Sequence, residues 1–179
     1  RNKEIQMNIT TSMIAVSLAW IIASVVGAIP LIYCLDISFI DALFESVSGF
    51  TTTGITVLQG LDSMPKSILF WRSLMQWLGG LGILTFFLLI SSRFSGNFWQ
   101  LFSAESHKVE LSRPVPNIFK TIEILWLIYI IFTLMEIFIL LFLKLSLYDA
   151  IIHSFTTLST GGFSSYDSSI AQYSMSGHP

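Results

Sequence analysis

Two short segments, Thr52-Thr53-Gly54-Ile55-Thr56 and Thr160-Gly161-Gly162-Phe163-Ser164, hold the residue types from which a site for a dehydrated cation can be built. A cation leaving water needs replacement oxygens at close range, and inward-held backbone carbonyls and Thr hydroxyls supply them. Glycine adopts backbone angles closed to other residues, so it suits such a segment. One Thr/Gly segment alone would read as a turn between helices. Two copies, each behind a short apolar stretch, favour a cation-lining role for Thr52, Thr53, Gly54 and Ile55, and for Thr160, Gly161, Gly162 and Phe163.

The stretches before them, Asp41 to Phe50 and Asp149 to Leu158, are too apolar for ordinary loops. A helix of about ten residues covers about 15 Å, half the hydrocarbon core of a bilayer. Each stretch is therefore expected to be a re-entrant half-helix, since irregular backbone at membrane depth is tolerated only where protein buries it or it lines an aqueous cavity. At a fixed offset of 108, Asp41-Ala42 matches Asp149-Ala150, Ser46 matches Ser154, Thr52 matches Thr160 and Gly54 matches Gly162. That makes five identities in sixteen positions. Each copy follows a long apolar segment, which implies an internal repeat.

Those long segments must position the two copies. About twenty apolar residues cross a bilayer, and three runs suffice: about Met13 to Leu35, Ile68 to Ile90 and Ile122 to Leu143. The expected fold class is all-α integral membrane, built of repeated helix–pore half-helix–filter loop–helix units. Residues 1–92 form the first repeat. Residues 93–120 form a cytoplasmic connector with a short amphipathic helix around Phe98 to Phe102. Residues 121–179 form a second repeat, truncated before its last helix. The first apolar run is too long for the core of a cleaved signal and lacks a small-residue cleavage site.

Composition agrees. Of 179 residues, 53% are hydrophobic and only 11% charged, against about 25% charged in soluble domains. The net charge of −2 and the absence of a basic patch exclude a nucleic-acid partner. Cys34 stands alone, which rules out an internal disulfide framework and a Cys-based zinc cluster. With the N-terminus inside, Arg1, Lys3, Arg93, Lys108, Arg113 and Lys120 are cytoplasmic, as the positive-inside rule prefers. Both loops then enter from outside, where Asp36, Asp41, Glu45, Asp62, Asp149 and Asp167 raise the local cation concentration. A multi-pass protein of the cell membrane follows, in contact with lipid.

Several further residues require a reading. Arg72 is expected to pair with Glu45 or an outer Asp rather than to ligate a cation, which it would repel. Glu45 and His153 occupy equivalent places in the two half-helices. Glu45 anchors its helix or adds negative field behind the filter, and His153 anchors by hydrogen bonding or confers pH sensitivity. Glu136 lies mid-span, where a carboxylate is either functional or hydrogen-bonded to a neighbouring helix. Gly79-Gly80-Leu81-Gly82 lies in an apolar run without a preceding strand or a following Lys-Ser/Thr, so it is expected to serve close helix packing, not phosphate binding. Trp20, Trp71, Trp77, Trp99 and Trp126 are assigned to interfaces or packing faces. The sequon Asn8-Ile9-Thr10 falls on the inner side and is discounted. Three histidines at 107, 153 and 178 make no ligand cluster, so no covalent catalysis is expected.

The motifs also resemble a known family. Phe44-Glu45-Ser46-Val47-Ser48-Gly49-Phe50-Thr51-Thr52-Thr53-Gly54 resembles the first pore loop of the TrkH/KtrB/HKT superfamily of K⁺ transporters, on its TrkH branch. Residues Phe70 to Gly82 resemble the helix that follows it there, and His153 to Ser164 resemble the second pore loop. The resemblance implies four such repeats around one ion path, with Gly54 and Gly162 as filter glycines and K⁺ as the transported ion. Thr52, Thr53, Gly54, Thr160, Gly161 and Gly162 would then contact K⁺. It further implies a homodimer of the full-length chain and a cytoplasmic nucleotide-sensing ring of TrkA/KtrA type, with no cofactor bound by this chain. The alternatives are a Na⁺-conducting or non-selective relative and a non-conducting membrane subunit.

Overall fold

The computed structural model describes residues 9–93 and 118–175. They form six helices: α1 (Ile9–Leu35), α2 (Phe39–Phe50), α3 (Lys66–Arg93), α4 (Ile118–Phe142), α5 (Leu147–Leu158) and α6 (Ala171–Met175). A single 3₁₀ turn, Leu61–Ser63, precedes α3, and no strand occurs among the described residues. Neither that turn nor α6 was foreseen from the sequence, because neither carries a hydrophobic period long enough to read. Most of the expected connector, with its amphipathic helix, Trp99 and His107, lies outside the described residues, as do Arg1, Lys3, Asn8 and His178.

Helices α1 and α4 are built from long, nearly unbroken apolar runs. Mean hydropathy reaches 2.3 over Val16–Leu35 in α1 and 2.6 over Lys120–Phe142 in α4, each long and apolar enough to cross a bilayer. Their outer faces leave Ile21, Ile22, Phe138 and Phe142 exposed, the pattern of helices solvated by hydrocarbon rather than water. Pro30 lies inside α1 without ending it. At 1.5 Å per residue, the 28 residues of α3 extend about 42 Å.

The short helices are set by their caps. Ser38 and Ser146, both extended, accept the amides of Asp41 and Asp149 at 3.1 Å and donate to their carboxylates at 2.7 Å. Each side chain thus satisfies a helix-end amide that would otherwise lack a partner. Both helices have twelve residues, about 18 Å.

Helix α3 is the shared support. Ala42 of α2 packs with Ile68, and Ser46 donates to the Met75 sulfur at 3.5 Å. On the other side Ile152 of α5 packs with Leu69, and the Tyr148 hydroxyl donates to the Lys66 carbonyl at 2.7 Å. Both short helices therefore run along α3 in one direction and end beside its glycines. Helix α1 runs the opposite way, with Leu31 near Ile68 and Trp20 against Phe50. Trp71 Nε1 ties α3 to α1 through the Gly27 carbonyl at 2.9 Å.

The glycines of α3 make this closeness feasible. A Cβ on Gly79 would strike the Phe50 carbonyl, and one on Gly80 would lie 2.8 Å from the Ser159 Cβ. The expected packing role of this motif is what the contacts express. Gly79→Val should cost about 1–3 kcal/mol by overpacking, seen as a lower melting midpoint of the detergent-solubilised protein.

Candidate functional site

The two Thr/Gly segments leave the ends of α2 and α5 by the same backbone path. Thr52 and Thr160 have φ of 54° and 58°, and Gly54 and Gly162 have 75° and 79°. For a β-branched residue this left-handed conformation is a true outlier, held only by its surroundings. The amides of Thr52 and Thr53 donate to the Gly49 and Ser48 carbonyls at 3.0 Å each, and those of Thr160 and Gly161 to the Thr157 and Thr156 carbonyls at 2.8 Å each. Gly54 and Gly162 add longer bonds, 3.5 and 3.3 Å, to Ser48 and Thr156.

This pattern dictates where the carbonyls go. No cis peptide occurs among the described residues, and in a trans peptide the C=O points opposite to the N–H it is bonded through. The amides of three successive peptides aim back at the helix end, so the carbonyls of Thr51, Thr52 and Thr53 aim away from it. The same holds for Ser159, Thr160 and Gly161. Two rows of three oxygens result, one per loop. Past these rows, the Ile55 carbonyl accepts the Ser48 hydroxyl at 2.5 Å, and the Thr53 hydroxyl shares a 2.8 Å bond with that of Thr51.

The loops touch. A Cβ on Gly54 would collide with the Gly161 carbonyl, whereas one on Gly162 would meet nothing within 4 Å. Gly54 is therefore packed against the neighbouring loop, whereas Gly162 faces open space.

Behind the first loop lies a buried ion pair. Arg72 and Glu45 are 1% and 0% exposed, with Nη2 of Arg72 2.6 Å and Nε 2.7 Å from Oε1 of Glu45. Glu45 also accepts the Thr56 hydroxyl at 2.9 Å and the Val57 amide at 3.2 Å. Arg72 reaches across to the second loop, where Nη1 donates to the Ser164 carbonyl at 3.3 Å and the guanidinium lies 4.2 Å from the Phe163 ring centre. The expected Glu45–Arg72 pairing is realised as a neutral unit, and its bonds join both loops.

At the position equivalent to Glu45 the second copy differs. His153 is buried and shares a 2.9 Å hydrogen bond with the Tyr173 hydroxyl on α6. Nearby, Asp149 accepts the Ser165 hydroxyl at 3.2 Å and that of Tyr166 at 3.4 Å. Burial, and then the Asp149 charge, raise the pKa of both Tyr166 and Tyr173, so these phenols stay protonated. Glu136 is half-buried on α4.

Gln76 was missed by sequence reading, although a signal existed: it stands one turn after Arg72 in an apolar helix, so the two share a face. Its side chain is fully buried, and Oε1 accepts the Phe163 amide at 3.1 Å. Around it Trp77 stacks on Phe155 and Tyr129, with centroids 5.2 and 5.3 Å away, and donates to the Thr133 hydroxyl at 3.0 Å. Trp77 and Trp71 thus serve packing between helices.

Comparison with known proteins follows the same lines. The family model TrkH, described as cation transport protein, matches residues 1–176. The uncharacterized cation transporter MJ1485 of Methanocaldococcus jannaschii is 42% identical over 154 residues, 86% of this chain and 32% of that protein. The Trk system potassium uptake protein TrkH of Escherichia coli K12 is 38% identical over 176 residues, 97% of this chain and 36% of the relative. The crystal structure of the potassium transporter TrkH from Vibrio parahaemolyticus superposes with a TM-score of 0.74 at 34% identity, over 95% of this chain and 33% of that one. The chain spans about a third of the length of these relatives.

Proposed function

Because the chain belongs to the TrkH family of cation transport proteins, we propose that it contributes two of the filter loops of a K⁺ uptake protein of the cell membrane. The observation that carries this reading is the pair of carbonyl rows, meeting where Gly54 abuts the Gly161 carbonyl. A cation shedding its water would take oxygens from Thr52 and Thr53 on one side and Thr160 and Gly161 on the other, with Gly54 and Gly162 permitting the turn. The negative ends of the α2 and α5 dipoles lie behind these rows, and the Glu45–Arg72 pair adds no net charge. Relatives named for potassium uptake support K⁺ as the ion.

On this reading α1, α2, the first loop and α3 form one repeat within residues 1–92. Residues 93–120 are a cytoplasmic connector, and residues from 121 onward form a second repeat. Its architecture is supported by the shared offset of 108 in caps, helix lengths and positive-φ residues. The N-terminus is cytoplasmic, α1, α3 and α4 span the membrane, and both loops enter from outside. Homodimers of the full-length protein and a TrkA/KtrA-type nucleotide-sensing ring complete the assembly by family resemblance.

Labelled Rb⁺ uptake into liposomes holding the full-length protein tests this. Uptake should be suppressed by K⁺ and little affected by Na⁺. Equal suppression by both ions would move the function to a non-selective or Na⁺-conducting relative. No uptake by folded protein would favour a non-conducting subunit.

A further inference from the structure

Gly161 poses a question that its backbone does not answer. Its φ is not positive, so conformation alone does not require glycine there. The reason lies in α3: a Cβ on Gly161 would collide with the Gln76 carboxamide. Gln76 also takes the Phe163 amide through Oε1, so it meets the second loop on both sides of Gly162, by a hydrogen bond at Phe163 and by close approach at Gly161. The Phe163 bond also fixes which end of the carboxamide is oxygen, since only oxygen can accept an N–H.

The contact continues to the first loop. Gly161 presents its carbonyl to Gly54, and Gln76 Nε2 lies 3.7 Å from where a Gly54 Cβ would stand. That Nε2 is buried and makes no hydrogen bond among the described residues. The one hydrogen bond its carboxamide makes among the described residues goes to the second loop, at Phe163, and not to the helices around it.

We propose that Gln76 is a positioning residue for selectivity: it sets the height of the Thr160–Phe163 backbone on α3, and through Gly161 the spacing between the two loops. This rests on the filter reading above. Gln76 does not coordinate the ion, because its free group is a donor. It acts on the oxygens that do, by fixing the distance between their rows. Arg72, one turn earlier, holds the same loop at Ser164, so the loop is fastened at successive points along one helix face.

The test compares Gln76→Met, which keeps the volume but lacks the acceptor, with Gln76→Glu, which keeps the acceptor. Both are made in the full-length protein. Hydrogen exchange of the peptide containing the Phe163 amide should quicken roughly tenfold in Gln76→Met, from loss of one buried hydrogen bond, and stay near wild type in Gln76→Glu. Rb⁺ uptake by Gln76→Met should lose roughly tenfold in its preference for K⁺ over Na⁺ as competitor. Unchanged exchange in folded Gln76→Met overturns the proposal, whatever the protein transports. Faster exchange with an unchanged K⁺ to Na⁺ ratio also overturns it, leaving Gln76 as a structural support. Should Gln76→Met fail to fold, Gly161→Ala presses on the same carboxamide and must quicken the same exchange, or the proposal falls. Absence of K⁺-sensitive uptake in the wild type would refute the transport reading alone, with the exchange result still deciding whether Gln76 holds the loop.

Discussion

Glu45→Gln should cost about 3–5 kcal/mol of stability, because it leaves the Arg72 cation buried without its counter-charge. The effect is large because the carboxylate accepts from Arg72, Thr56 and the Val57 amide together. Desolvation of an unpaired guanidinium exceeds what one amide oxygen can offset. Thermal unfolding of the solubilised protein would report the loss, and K⁺-sensitive Rb⁺ uptake should fall with it. The double variant Glu45→Leu with Arg72→Met should recover much of the stability, since buried ion pairs are often replaceable by apolar residues. It should not recover transport, because the Ser164 carbonyl and Thr56 hydroxyl lose the donor that joins the two loops. A double variant with full transport would show that the network serves folding alone.

The second large effect separates Gly54 from Gly162, the two glycines proposed to line the filter. Gly54→Ala should abolish uptake: the added methyl meets the Gly161 carbonyl, and φ of 75° adds about 1–2 kcal/mol for any side chain. Gly162→Ser bears the same backbone strain, but its Cβ meets no atom within 4 Å among the described residues. It should therefore fold and conduct, with K⁺ preferred less over Na⁺, because the new side chain occupies open space beside the carbonyl rows. Competition assays on both variants distinguish the cases. Equal behaviour of the two, or unaltered discrimination in well-folded Gly162→Ser, would remove Gly162 from the filter.

The fold was largely legible because its signals are local. Long apolar runs mark α1 and α4, and a run broken by Arg72 and Gln76 marks α3, each observed within a few residues of its expected bounds. The similarity of the two segments is fainter in sequence than in backbone. Only five of sixteen residues agree, yet caps, helix lengths and left-handed residues all recur at the same offset. Hydrogen bonds from main chain to main chain tolerate side-chain change, so the path outlasts the sequence match. The Glu45–Arg72 pair could be guessed, since a charge in an apolar helix needs a partner. The reach of Arg72 to Ser164 and of Gln76 to Phe163 could not, because they join residues 92 and 87 positions apart and no local pattern encodes such a separation. The difference between the equivalent Glu45 and His153 was plain in the sequence, but not their partners, Glu45 binding α3 while His153 binds α6.

The use of one helix by both copies also bears on biosynthesis. Chains emerge N-terminus first, so α1, α2 and α3 can assemble before α5 exists. The second loop then reaches a template already carrying the guanidinium, carboxamide and glycine steps that receive it. Closing a loop of some ninety residues onto a prepared surface adds only a logarithmic entropy cost. Errors in α3 would thus strike twice during synthesis, first at the unit that makes the template and again at the unit that must dock on it.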